Sequence, residues 1–143
     1  LKNLFFKVTR ENNFWNELSL TAFRVFIGLA MAFAHGWGKL PPPDRLVEGV
    51  TAMGFPMPMM FAWAAALAEF AGGIFIALGL FTRPAALFLG FTMAVAAFKV
   101  HAADPFQNKE LALLYLGACV VFFFRGSSAW SLDRFFTGKG KKK

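Results

Sequence analysis

The chain has one cysteine, Cys119, and one tyrosine among its 143 residues. A lone cysteine excludes both a disulfide scaffold and a C-x-x-C redox centre. No haem c attachment motif, iron-sulfur cysteine set or dinucleotide fingerprint is present, so the chain carries no electron by a resident group of those kinds. Charge is also scarce, at 16% Asp, Glu, Lys and Arg against about 25% in an ordinary soluble domain. What fills the space is oil: 57% of residues are hydrophobic, 20 are Phe and 4 are Trp, and mean hydropathy is +0.52. That excludes intrinsic disorder, and a soluble fold of this length lacks the interior to bury so much apolar surface. The few charges sum to +7 with a pI near 10.0, a balance that raises nucleic acid as a partner. The basic residues sit at the ends of apolar runs rather than interleaved with aromatics, so nucleic acid is excluded and a polytopic membrane protein remains.

A bilayer core of about 30 Å takes roughly 20 apolar residues in a helix. Four runs qualify, predicted at Leu18–Trp37, Met57–Phe81, Pro84–Val100 and Leu111–Phe124. Pro41-Pro42-Pro43 ends the first, Pro56 and Pro58 open the second, and Thr82-Arg83-Pro84 turns the second into the third. The expected fold is all-α, a four-helix transmembrane bundle over residues 18–126. Residues 1–17 set Leu4, Phe5, Val8, Phe14 and Trp15 among Lys2, Lys7, Arg10 and Glu11, which predicts an amphipathic helix in the membrane interface. Residues 127–143 form an interfacial and basic tail, WSLDRFF followed by GKGKKK.

Loop charges orient the bundle. Four spans put both termini on one side with Arg83, and that side collects ten bases against Glu11, Glu17 and Asp133. The opposite side has Lys39, Arg45, Lys99 and Lys109 balanced by Asp44, Glu48, Asp104 and Glu110. Both termini are therefore expected in the cytoplasm, and the entire excess of +7 faces anionic lipid head groups there.

Charges within spans need a reason, at about 2.5–3.5 kcal/mol each on insertion scales. Arg24 lies about six residues into the first span and Glu69 about eleven into the second, an axial offset of about 7 Å that an arginine can reach across. The two are expected to form an intramembrane ion pair, either a register lock or a polar site. Helical spacing returns His35 to within about 20° of Arg24, with Gly28 and Met31 between them on one stripe. His35, His101 and Glu110 all fall at the outer end, where three such groups hold a metal, hydrogen-bond a quinone head group, or relay protons. A metal is not expected, because no HxxxH or ExxH pair shares a helix. Cys119 points away from Glu110 and reads as packing. Gly28, Ala32 and Gly36, like Ala64, Ala68 and Gly72, recur every fourth position, the spacing that lets membrane helices approach closely.

Taken in order, the Arg-bearing first span ending in AHGWGKL, then MGFPMP, AEFAGGIFIALGLFTRPAAL, PFQNKELALLYL and SLDRF, the chain resembles the DoxX family of small bacterial membrane proteins from about Leu18 to Phe135. The resemblance implies a four-helix bundle in the bacterial inner membrane and a redox association, since the family takes its name from a subunit of a quinol oxidase and thiosulfate:quinone oxidoreductase system. It covers Arg24, His35, Gly36, Lys39, Glu69, Gly72, Gly73, Arg83, His101, Lys109 and Glu110. The function expected from residues and resemblance together is a subunit for quinone-linked electron transfer beside a redox-enzyme partner. His35 and His101 would hydrogen-bond the quinone carbonyls with Lys39 and Lys109 alongside, and Glu110 would exchange protons with the outer phase. A second reading is a membrane anchor or assembly partner without chemistry. A third is a small transporter, which four short helices allow only through homo-oligomerisation.

Overall fold

The computed structural model describes residues 14–137. The interfacial helix expected over residues 1–17 falls outside these except for its last residues, and the tail beyond 137 likewise. Among the described residues four helices are long and apolar enough to cross a membrane: Phe14–Lys39, Pro58–Leu78, Thr82–Val100 and Phe106–Arg125. The first is α1 (Phe14–Ala30), prolonged by a π-helical stretch Met31–Gly36 and a 3-10 turn Trp37–Lys39. A short α2 (Asp44–Ala52) follows, then α3 (Pro58–Leu78) and α4 (Thr82–Val95), which also runs on as a π stretch, Ala96–Val100. After α5 (Phe106–Arg125) the described chain closes with α6 (Leu132–Thr137).

The spans run up and down in sequence order around one core. α1 packs on α3, α3 on α4 and α4 on α5, while α1 and α5 close the ring with the sparsest contact between neighbouring spans. Met31, Ile76, Leu89, Met93, Tyr115 and Phe122 meet in the middle. Outside, Phe26, Phe33, Phe88, Phe91 and Phe124 are exposed, a surface that only lipid can cover.

Glycine sets how close α1 and α3 come. A Cβ at Gly28 would lie 2.5 Å from the Ala77 amide and the Gly73 carbonyl, and one at Gly36 would lie 2.5 Å from the Phe70 amide. Backbone meets backbone there, so no side chain can yield to make room. The stripe Gly28, Ala32, Gly36 is thus one half of this contact. Its other half is Gly73 and its neighbours, while Gly72 looks towards Ala85 of α4.

Two elements differ from expectation. α2 is a helix that no long apolar run marks; it begins at Asp44 directly after Pro43, an acidic first turn behind a proline, and packs on α3. α5 starts five residues earlier than its apolar run, because Phe106–Glu110 is helical although polar.

Candidate functional site

The contacts fix the level of each charge. Gly28 lies against Gly73 and Ala77, and Gly36 against Glu69 and Phe70, so Arg24, one turn below Gly28, stands level with the last turn of α3. Glu69 is seven residues farther along that helix, about 10 Å away along the axis. The expected Arg24–Glu69 ion pair is therefore not formed. The Arg24 side chain, 1% exposed, instead donates from one terminal nitrogen to the Ile76 and Ala77 carbonyls, both at 2.6 Å, and from the other to the Trp130 carbonyl at 2.9 Å. Carbonyls at a helix C-terminus carry partial negative charge, so backbone oxygens take both terminal nitrogens of the guanidinium, while its buried Nε has no partner among the described residues. Gly79 follows at φ 67°, and a Cβ on it would lie 2.7 Å from the same guanidinium.

Glu69, its side chain 5% exposed, takes Lys39 at 2.5 Å. The lysine comes from the 3-10 turn that ends the first span and reaches back into the bundle, since Gly36 has already brought that turn against α3. His35 sits in the π stretch, where an i→i+5 turn adds a residue and rotates the side chains after it by up to about 100°. It leaves the Arg24 stripe for that reason and meets Tyr115 of α5 edge-on, ring centres 5.5 Å apart. Tyr115 is 7% exposed. Among the described residues, neither its hydroxyl nor the His35 ring nitrogens have a hydrogen-bond partner.

His101 directly follows the second π stretch. Its Nδ1 lies 2.7 Å from an Asp104 carboxylate oxygen, and the Lys109 ammonium donates to the Ala102 carbonyl in the same turn at 3.2 Å. The His101 hydrogen bond, with lesser help from Asn108 and Lys109, holds the Asp104 carboxyl below its ordinary value against the opposing effect of desolvation. Glu110 is exposed on the first turns of α5. The polar residues of the loop end thus group as His35 with Tyr115, Lys39 with Glu69, and His101 with Asp104 and Lys109. Among the described residues no three His, Cys, Asp or Glu side chains stand close enough to hold a metal, so His35, His101 and Glu110 do not form such a set. Cys119 is buried and packed against Gly90.

Sequence reasoning missed Tyr115 and assigned Asp104 only a charge. Tyr115 had a signal: it is the one phenol in a chain of 20 phenylalanines, a hydroxyl kept where Phe was the common choice.

The fold and its paired polar groups define a polytopic membrane protein, four apolar helices enclosing a small set of buried ionisable residues. The DoxX family profile matches residues 19–102. The chain belongs to the DoxX family. It is 38% identical over 128 residues to an uncharacterized protein of Haemophilus influenzae, covering 82% of this chain and 92% of that one. It is 34% identical over 112 residues to the inner membrane protein YphA of Escherichia coli, covering 69% and 77%. It is 29% identical over 127 residues to a Bacillus subtilis protein named "Putative oxidoreductase CatD", covering 88% and 92%. No solved structure matches the chain.

Proposed function

We propose that this DoxX-family chain is the membrane subunit of a quinone-linked redox system, binding the quinone head group at the loop end of the seam between α1 and α5. One observation carries the reading: His35 and Tyr115, touching across the sparsest contact of the bundle, both keep their hydrogen-bonding capacity unused toward the described residues. A phenol and an imidazole side by side offer a ligand two hydrogen-bond donors in an otherwise apolar setting. Two carbonyl oxygens on a flat ring accept from an imidazole and a phenol, and the core cluster that Tyr115 joins, with Met31, Leu89 and Met93, is apolar as a quinone ring requires. The residues present fit the group.

In this reading His35 and Tyr115 orient the head group by donating to its carbonyls. The quinone, when bound, supplies the capacity to accept and release electrons together with protons. The Lys39 ammonium donates to Glu69 on the adjoining face of α3 and compensates a carboxylate that is 5% exposed. His101 and Asp104 with exposed Glu110 stand at the aqueous edge, where protons are exchanged with water. The oxidoreductase name of the relative CatD is in keeping with a redox association.

The test is retention. The full chain is extracted in mild detergent and the bound quinone is quantified by mass spectrometry for wild type, His35→Ala and Tyr115→Phe. Wild type is expected to carry a quinone and each variant to lose about tenfold of it, the effect of one buried hydrogen bond to a ligand. A wild type with no quinone above a detergent blank, or variants that retain it fully, sinks the reading and leaves a membrane anchor.

A further inference from the structure

At the other end of the spans the bundle opens a cleft of about 600 Å³ between the α3–α4 turn, the end of α5 and the 126–134 segment. Its lining includes Arg83, Arg125 and Arg134 together with Glu17 and Asp133. The two acids are committed to the backbone. Asp133 accepts from the Phe81 amide at 2.8 Å and from the Thr82 amide and hydroxyl at 3.1 and 3.0 Å, capping α4. Glu17 accepts from the Ala129 amide. With carboxylate oxygens of both acids facing amides, and those of Asp133 also the partial positive charge of a helix start, Arg83 and Arg125 are charges that a ligand in the cleft meets.

Arg83 is held in place. One terminal nitrogen donates to the Phe124 carbonyl at 3.4 Å, and its Nε would be 3.4 Å from a Cβ on Gly126, whose φ of 73° bends the chain beneath it. Arg83 is otherwise exposed at the cleft. Arg125, exposed and last in α5, borders the same opening, and Ser127, two residues after it, also lines the cleft. Trp15, Phe81, Phe124 and Trp130 are exposed around this end, which sets the cleft at the level where aromatic side chains mark the membrane interface and lipid phosphates reside.

The geometry points to a phosphate site: the cleft takes one phosphate group in the fork of Arg83 and Arg125, with Ser127 as a further donor. Arginine suits this because its planar donors match phosphate oxygens in pairs. Two sources share that chemistry, the head group of an anionic phospholipid and a soluble phosphate. The full chain is reconstituted in phosphatidylcholine nanodiscs. Binding of phosphatidylglycerol is then measured by native mass spectrometry, and binding of inorganic phosphate by titration calorimetry, for wild type, R83Q/R125Q, and a control that removes the same charge from the tail, K141Q/K142Q. The proposal expects wild type and the tail control to bind alike and R83Q/R125Q to bind about tenfold more weakly. A loss confined to phosphatidylglycerol assigns the lipid, and a loss with inorganic phosphate as well assigns any accessible phosphate. Equal binding by all three proteins, or an equal loss in both variants, overturns the site and leaves general attraction of a basic surface. R83K/R125K keeps the charge and removes the fork, so it decides the question even if R83Q/R125Q fails to fold. It is expected to lose most of the same affinity, and wild-type affinity in it overturns the proposal.

Discussion

The two ends of this bundle set their polar groups against different kinds of neighbour. At the end that carries the described termini, Arg24 and Asp133 are matched by backbone: three carbonyls for the arginine, two amides and a neighbouring hydroxyl for the aspartate. At the loop end, side chains face one another as Lys39 with Glu69, His101 with Asp104 and His35 with Tyr115. Backbone partners cannot leave without unfolding a helix end, whereas side-chain partners can rotate, release a proton or accept a ligand. The difference separates scaffold from site, although both ends bury charge.

Breaking the scaffold end gives the largest effect. Arg24→Ala takes the guanidinium from the Ala77 and Trp130 carbonyls, leaves Ile76 with the Gly79 amide alone, and opens a cavity, expected to cost about 3–5 kcal/mol. Arg24→Lys keeps the charge but not the three-carbonyl geometry and falls between. Reversible unfolding in mixed micelles measures both, and a change under about 1 kcal/mol for Arg24→Ala would remove the scaffold role. Next comes Gly28→Ala, whose Cβ would meet backbone at 2.5 Å and force α1 from α3 at about 1–3 kcal/mol. Because that contact sets the register, the same variant is expected to weaken the Lys39–Glu69 pair, read as a loss of coupling between those residues.

At the loop end the expected signature is coupling rather than bulk stability. Glu69→Leu alone strands Lys39, and Lys39→Met alone strands a carboxylate that is 5% exposed. The double variant removes both charges and is expected to be more stable than the sum of the singles by about 1–3 kcal/mol. Simple additivity in a double-mutant cycle would show that the pair contributes nothing. Tyr115→Phe, which deletes only a hydroxyl without a described partner, is expected to change unfolding by less than about 0.5 kcal/mol while lowering quinone retention. Those two readouts separate ligand loss from damage to the fold.

The spans were legible because run length and proline punctuation respond to membrane thickness, a constraint the sequence must satisfy directly. Their axial register was not. An apolar run tells how long a helix is but not how far it slides past its neighbour, and here the slide is set by Gly28, Gly36 and Gly73, whose role appears only when the backbones touch. That is why Arg24 and Glu69, close on paper, end about 10 Å apart along the axis. The π stretch is the second cause, since it leaves no mark in the hydrophobic pattern and turns His35 from α3 towards α5. Both histidines, Arg24 and Glu69 stood out as polar groups in oil. The partners Tyr115 and Asp104 came from another helix and from a turn, which periodicity along one helix does not relate.

The smallest effect concerns the aqueous edge of the loop end, where His101 and Asp104 pair in the open. Asp104 is held below its ordinary value by the His101 hydrogen bond first and by Asn108 and Lys109 after it. A carboxyl whose value is lowered on folding contributes its stabilisation above the unfolded value, about pH 3.9, and loses it as pH falls through the lowered one. Carbon-13 NMR of the Asp104 carboxyl in nanodiscs, titrated downward from neutral pH, should therefore give a midpoint under that of a free aspartate. His101→Phe should bring it back up, with little change in unfolding because the side chain is solvated. An unchanged midpoint in His101→Phe would mean that water replaces this contact freely. The contrast between the two ends would then be sharper: backbone partners hold at one end, and at the other only the pairs of His35 with Tyr115 and Lys39 with Glu69 persist.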